Sequence, residues 1–362
     1  MRGKKTIYQI AEEARVSIST VSRVLNGSPL VASRTRALVQ EVIDQNHFSP
    51  SALARGLSTS KTQSIGVILP DITNPYFSAL FLEIERCAAE QGYSVVLYNT
   101  MYGSYSRDFK KSLEEADYFQ IALKECLDGV IITGGQIDMD EISADYLKAL
   151  NLLRREIPVV IIGQEFEGTS CNFVVRDLER GVFLALRHLR DLGHRRIGFL
   201  GGELGVRVTS DRFKAYKRIL AEMGLAYHPG YVHFSDYYIP SGYTAMREQL
   251  RGPIPSAVLA INDMVALGAI RVLSDEGLSI PEDMALVSCD QFFFSEYTVP
   301  RLTTLDQQNS RLGRLALAKL MGLIRGTPEE TAAPPEPQLV LRESCGVKLG
   351  IRHFESPAAN NL

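Results

Sequence analysis

From Ser64 onward, short apolar runs alternate with amphipathic stretches so regularly that few folds accommodate the chain. Ile65 to Leu69, Ser94 to Tyr98, Gly129 to Ile132, Val159 to Ile162, Ile197 to Leu200, Tyr231 to Phe234, Ala257 to Ile261 and Ala285 to Ser288 read as strands. Between them Tyr76 to Gln91, Leu178 to Leu192, Asp211 to Met223, Ser241 to Leu250 and Asp263 to Glu276 have helical spacing. Strand followed by helix, repeated this often, predicts parallel sheets covered on both faces. The strands are too many for one doubly wound sheet of usual size. Two similar lobes are expected, exchanging chain near Ile162-Gly163 and again near Phe292 to Thr298, with a ligand at the strand carboxyl ends between them. Thr327 to Pro337 reads as a surface loop, and Leu339 to Glu343 as a last edge strand. The tail from Glu355 has no leucine heptads, so no four-chain coiled-coil handle is expected.

The first 57 residues follow another pattern. Ile7, Ile10, Ala11 and Ala14 share one helical face, and Thr6 with Gln9 has the spacing of a capping box. After Arg15, Ser17 is placed to cap a second helix in which Val21, Val24 and Leu25 turn inward while Ile18, Ser19, Ser22 and Arg23 stay outside; Gly27 ends it. Two short helices joined by a tight turn fit a major groove. Ser33 is placed to cap a third, with Ala37, Leu38, Val42 and Ile43 inward. Phe48-Ser49-Pro50 breaks the chain, and Ser51 to Leu57 offers two turns of helix, too short to stand alone in water.

Charge supports this division. Residues 1–61 hold nine Lys or Arg (Arg2, Lys4, Lys5, Arg15, Arg23, Arg34, Arg36, Arg55, Lys61) against Glu12, Glu13, Glu41 and Asp44. The whole chain carries 39 basic and 42 acidic residues, so everything after Lys61 is acidic overall. A basic head on an acidic body points to phosphate binding by the head. No apolar run reaches the roughly 18 residues of a spanning helix, and the start leads into an amphipathic helix; no membrane partner and a cytoplasmic location are expected. Cys87, Cys126, Cys171, Cys289 and Cys345 lie far apart without a Cys-x-x-Cys, so buried reduced thiols are expected, with no disulfide framework, metal or cofactor.

The run from Ser17 through Thr20-Val21-Ser22-Arg23-Val24-Leu25-Asn26-Gly27, followed by Ser33-Arg34-Thr35-Arg36 and Ala52-Leu53-Ala54-Arg55-Gly56-Leu57, closely resembles the LacI/GalR repressors, and the resemblance extends almost to the end of the chain. It implies an N-terminal all-α helix-turn-helix head (1–48), a hinge helix and linker (49–63), a two-lobed periplasmic-binding-protein-like α/β body with parallel sheets (64–345) and a tail (346–362). In the head, Ile18, Ser19 and Arg23 would read base edges, Arg23 gripping a guanine bidentately. Thr6, Thr20, Ser22, Asn26, Ser33 and Thr35 would position the backbone through phosphates, and Ser17, the helix cap, is counted with the DNA-binding residues. Thr6 and Ser33 serve equally well as plain helix caps. Leu57 matches a leucine that wedges open a central base step from the minor groove, and Ala54 lies on the same hinge segment; the alternative is that the segment packs on the head.

In the cleft, Asn74, Tyr76 and Phe77 fall in the loop after the first body strand, the two rings being stacking platforms or core. Arg212 matches the family arginine that fixes hydroxyls or a carboxylate with a planar fork of donors. Tyr237 matches a ring that packs on a ligand face. Asn262 and Asp290 stand at strand ends, Asn262 also as a cap for the helix after it, and Gln307 would close the site. Gln164 stands where sugar-binding relatives often have Asp, which leaves a neutral sugar and an acidic metabolite both open. Asp177 is expected to cap a helix.

The sequence has no phosphate loop, nucleophile elbow or His-Glu-x-x-His, so an enzyme is not expected. The resulting expectation is a repressor that binds a pseudo-palindromic operator on double-stranded DNA as a homodimer, released by a small polar effector such as a sugar. A corepressor-tightened regulator and a cytoplasmic solute-binding protein of the same body fold are the alternatives.

Overall fold

The computed structural model describes residues 5–25, 28–46, 48, 62–101, 113–327 and 333–347. Asn26, Ala54, Leu57 and the hinge segment lie outside them.

The head is three helices, α1 (Ile7–Glu13), α2 (Ile18–Leu25) and α3 (Ser33–Gln45), closed over Ile10, Ala11, Ala14, Val21, Val24, Val39, Val42 and Ile43. The Thr6 N–H donates to Gln9 Oε1 at 2.8 Å, the returning half of a capping box. Arg15 takes the left-handed conformation at the turn (φ 53°), and Ser17 Oγ accepts the Thr20 N–H at 3.2 Å to start α2. Two expectations for α3 fail. Leu38 is 47% exposed and Ala37 is exposed, because the buried stripe runs through Val39, Val42 and Ile43, one position round the helix. Ser33 is the first helical residue, and the cap position belongs to Ala32, which has no side chain to cap with.

The body holds two sheets. The first has strand order β2-β1-β3-β4-β5, formed by β1 (Ser64–Leu69), β2 (Ser94–Asn99), β3 (Gly129–Thr133), β4 (Val159–Ile162) and β5 (Asn172–Val174), all parallel. The second has order β11-β10-β9-β8-β6-β7, formed by β6 (Ile197–Leu200), β7 (Val232–His233), β8 (Ala257–Ala260), β9 (Ala285–Ser288), β10 (Thr303–Asp306) and the antiparallel edge β11 (Gln338–Val340). Strands β1, β3, β4, β6, β8 and β9 are buried along their whole length, as parallel strands covered on both faces must be.

Helices α4 (Pro75–Glu90), α5 (Glu115–Lys124) and α6 (Ala144–Glu156) belong to the first lobe. Helices α7 (Leu178–Asp191), α8 (Arg207–Glu222), α9 (Ile239–Gln249) and α10 (Asp263–Asp275) cover the second. Helix α11 (Asn309–Arg325) follows a second-lobe strand yet packs into the first-lobe core through Leu312, Ala316, Leu317 and Leu320.

The lobes therefore exchange chain at places other than Ile162-Gly163 and Phe292 to Thr298. Strand β5 still pairs with β4, so the first crossing falls between Val174 and Leu178. Strand β10 still pairs with β9, so the second falls between Asp306 and Asn309, and the chain returns once more before β11. The segment at Phe292 and Phe294 only leans on the first-lobe core while its backbone stays with the second. The thiols also differ from expectation: Cys171, Cys289 and Cys345 are buried, but Cys126 is exposed.

Candidate functional site: an inter-lobe cavity and a helix-turn-helix face

Each sheet ends in loops that face the other lobe. From the first come Pro70 and Asn74 after β1 and Gly134 to Met139 after β3; from the second come Glu203 after β6, Tyr237 and Tyr238 after β7, Asn262 after β8, and Asp290 and Phe292 after β9. They enclose a cavity of about 290 Å³. Its place, at strand carboxyl ends between two α/β lobes, is the position such sheets give to ligands.

Arg212, on α8, is 1% exposed. Its Nη2 donates to Asp290 Oδ1 at 2.8 Å and to Cys289 O at 3.1 Å, its Nη1 donates to Ile261 O at 2.6 Å, and its buried Nε has no partner. Burial works against this cation, but the attraction of the groups around it, Asp290 foremost, outweighs burial, and the guanidinium pKa is raised. Arg212 thus holds together the ends of β8 and β9 as well as lining the cavity. Asn262 Oδ1 accepts the Val265 N–H at 2.8 Å, capping α10, while its Nδ2 donates to Tyr237 O at 2.9 Å. The Tyr237 hydroxyl pairs with Thr209 Oγ1 at 2.7 Å, which turns the ring into the cavity wall.

The first-lobe wall is aromatic. Asn74 Oδ1 accepts the Tyr76 N–H at 3.0 Å and starts α4, which presents Tyr76 and Phe77, their rings edge to face at 5.0 Å. Gly134 has φ of 70°, and a Cβ there would fall 2.6 Å from the Phe77 ring, so only glycine allows that approach. The Arg176 guanidinium lies 4.5 Å over Tyr76 and 3.9 Å from Asp290 Oδ1, reaching from the first crossing into the cavity.

Seven of the nine expected cleft residues line the cavity: Asn74, Tyr76, Phe77, Arg212, Tyr237, Asn262 and Asp290. Gln164 and Gln307 do not. Adjacent residues of extended chain point to opposite sides: Gly163 takes the inner place beside Asp138, and Gln164 turns outward, its Nε2 donating to Arg176 O at 2.7 Å. Gln307 is buried at the second crossing, its Nε2 donating to Cys289 O at 3.1 Å. Asp177 caps α7 as expected, accepting the Arg180 N–H at 2.8 Å.

Sequence reasoning missed Asp138, Arg176, Glu203, Tyr238 and Phe292 in the cavity. Burial pushes the Asp138 carboxyl up to about 6, with Arg176 and Arg207 pulling the other way. The Tyr238 hydroxyl donates to Asp71 Oδ2 across the lobes, and Ser210 Oγ donates to Asp140 Oδ2. Arg207 donates to Met139 O and Glu165 O at 3.2 and 3.3 Å.

Asp263, the residue after Asn262, is fully buried. Its Oδ1 accepts from Ser288 Oγ at 2.5 Å and Thr304 Oγ1 at 2.7 Å, and its Oδ2 from the Phe292 N–H at 2.8 Å and from Ser295 Oγ. Those bonds hold the loop that carries Asp290 and Phe292, and burial raises the Asp263 pKa despite them.

In the head, Ile18, Ser19 and Arg23 are exposed along the outer face of α2. Ser17 Oγ lies 2.8 Å from both Ser19 Oγ and Thr20 Oγ1 at its start. Ser33 is exposed and Thr35 half-buried in the first turn of α3.

A helix-turn-helix head joined to a two-lobed ligand-binding body defines the class of ligand-responsive DNA-binding regulators. Residues 6–51 match the bacterial regulatory proteins of the lacI family, and residues 186–345 match the periplasmic binding protein-like domain. The HTH-type transcriptional repressor PurR of Pasteurella multocida is 32% identical over 347 residues, which cover 95% of this chain and 99% of that protein. The lac repressor dimer bound to operator and the anti-inducer ONPF superimposes with a TM-score of 0.81 at 26% identity, covering 95% of this chain and 99% of that one. A transcriptional regulator CelR–cellobiose complex superimposes at 0.67 with 26% identity, over 94% of this chain and 99% of that one. The chain belongs to the lacI family and is a transcriptional regulator rather than an enzyme. Among the described residues, no helix is long and apolar enough to cross a membrane.

Proposed function

We propose that this regulator is a cytoplasmic repressor that binds a pseudo-palindromic operator as a homodimer, with its affinity set by a small polar effector in the inter-lobe cavity. The observation that carries the reading is the cavity itself. Aromatic planes from Tyr76, Phe77 and Tyr237 face polar groups of Asn74, Arg212, Asn262 and Asp290, a combination suited to a sugar or related metabolite. Bonds that cross between the lobes beside it, such as Tyr238 to Asp71, give an effector something to favour or break. Only a ligand that binds one lobe arrangement better than another can shift DNA affinity.

Two features support the DNA and dimer readings. Ile18, Ser19 and Arg23 are exposed on the outer face of α2, which suits contact with base edges, and Thr6, Ser17, Thr20, Ser22, Ser33 and Thr35 are the phosphate contacts proposed beside them. Phe293, Tyr297 and Val299 are 79%, 78% and 87% exposed within seven residues, an apolar patch suited to a second copy of the chain.

The test is anisotropy of a labelled palindrome with a central CG step at fixed salt, since phosphate contacts make affinity steeply salt-dependent. Specific binding reversed by a neutral or acidic sugar supports the inducible repressor; tightening by the ligand identifies a corepressor instead. Arg23→Ala is expected to lower specific affinity by about 1–3 kcal/mol while leaving nonspecific binding nearly unchanged. Equal losses on both DNAs overturn the base-reading role.

A further inference from the structure

Asp138 differs from Asp290, the acid that faces it from the second-lobe wall of the cavity. It ends the short turn Gly135–Asp138 after β3, lines the cavity, and its carboxylate forms no hydrogen bond or ion pair with any described residue. Asp290 is paired with Arg212, and Asp71, outside the cavity, with Tyr238. The two guanidiniums nearest in charge to Asp138 are occupied elsewhere: Arg176 lies over the Tyr76 ring near Asp290, and Arg207 binds two backbone carbonyls.

The seat of this carboxylate depends on Gly163. A Cβ built there would lie 3.1 Å from Asp138 Oδ1, tighter than an ordinary contact. The missing side chain at the end of β4 therefore leaves the space that the Asp138 head occupies. A half-buried carboxylate without a partner is unfavourable unless something supplies donors.

Resting on the effector-cavity reading above, we infer that Asp138 is the residue that selects the effector's chemical class. It accepts a hydrogen bond from a hydroxyl or amino group of the ligand and turns away ligands that bring a carboxylate to that end of the cavity. The apolar walls, Val206, Val208, Phe77 and Phe292 among them, then hold the ring or chain that carries the donor. A carboxylate placed beside Asp138 would meet like charge in a partly desolvated site, where repulsion is much stronger than in water. The acidic effector that the sequence left open is disfavoured on this ground.

The same assignment gives a pH dependence. The charged groups around Asp138 are Arg176, Arg207 and Asp211, with Asp290, Glu203 and the paired Arg212 in the same cavity and the Tyr76 and Tyr237 phenols facing it. Its pKa stands at about 6, so selectivity against carboxylates should relax as pH falls through that value.

The test uses three probes of one shape, cyclohexanol, cyclohexylamine and cyclohexanecarboxylate, titrated into the full-length protein. The methyl signals of Val206 and Val208, both in the cavity wall, report where and how tightly each binds. At about pH 7.5 the alcohol and the amine are expected to bind at least about tenfold more tightly than the carboxylate, as like-charge repulsion requires. Asp138→Asn should bring the three within about threefold of one another. Gly163→Ala, which crowds the carboxylate, should weaken the alcohol. Lowering the pH to about 5.5 should narrow the gap in the unaltered protein.

Equal or tighter binding of the carboxylate overturns the inference, as does a preference that survives Asp138→Asn. If none of the probes moves the Val206 and Val208 signals, the cavity is not the effector site, and the proposed function falls with the inference. Shifts without selectivity sink the inference alone.

Discussion

The second-lobe wall of the cavity and the first-lobe wall handle polarity differently. Arg212, Asp290 and Asn262 are engaged with groups of their own lobe, and Asp263 beneath them is saturated by five side-chain or backbone donors. Across the cavity, aromatic rings stand beside Asp138, whose carboxylate meets no donor among the described residues. The first arrangement is a finished part of the protein's own interior that a ligand meets only at its edge. The second is unfinished and is completed by whatever binds. A polar residue at a site can therefore be there to hold the protein in shape or to wait for a guest, and its partners tell which.

Substitutions can break that contrast. Asp290→Ala leaves the Arg212 cation buried without its counterion, and urea unfolding should show a loss of about 3–5 kcal/mol. A loss under about 1 kcal/mol would mean that the pair is dispensable. Asp263→Asn turns a donor toward the Phe292 N–H and should cost about 1–3 kcal/mol, with amide exchange quickening across residues 288–295. Tyr238→Phe removes the bond to Asp71 and should cost about 1–2 kcal/mol. That change should also widen the angle between the lobes, seen by small-angle scattering; an unchanged profile would remove the bond from the closing contacts.

Asp138→Asn is the smallest and has the opposite sign. Because the folded-state pKa of Asp138 is raised to about 6, the folded chain binds more protons than the unfolded one between about pH 4 and that value. Stability from this group therefore falls as pH rises through the window. The variant should gain on the unaltered protein from about pH 4 to about pH 6 and keep a constant advantage above. A variant that loses stability at neutral pH would show that Asp138 has a structural partner after all.

The head was legible residue by residue because its signals are local: the Thr6 and Gln9 spacing, the Ser17 cap, and a stripe of period 3.6. The error at Leu38 arose where two adjacent apolar residues, Leu38 and Val39, competed for one inward place. The alternating body was legible as a class, but strands β5 and β10 were not. Asn172-Phe173-Val174 is too short to stand out, and Thr303-Thr304 reads as polar although both are fully buried, Thr304 bonding Asp263. Missing those two strands is what misplaced the crossings. Asn262 and Asp290 could be found because each sits in a recognisable run at a strand end, and Arg212 because it sits in a recognisable helical run. Asp138 and Arg176 sit in a short turn and at a crossing, and only the folded chain brings them to the cavity.

Gly181, near the start of α7, has a mechanical consequence. A Cβ there would lie 3.2 Å from Gln307 Nε2 and from Leu305 Cδ1, and 3.8 Å from Pro337 Cβ. Leu305 lies in β10, Gln307 in the second crossing and Pro337 in the chain returning for β11, while Gly181 itself follows the first crossing. Three straps are thus gathered at one edge of the molecule, as the pins of a door are, instead of being spread like the legs of a stool. Such a bundle resists sliding and leaves swing about one axis as the soft freedom between the lobes. A methyl group at Gly181 would act as a shim in that door, and the angle at which the lobes rest would be the first thing to change.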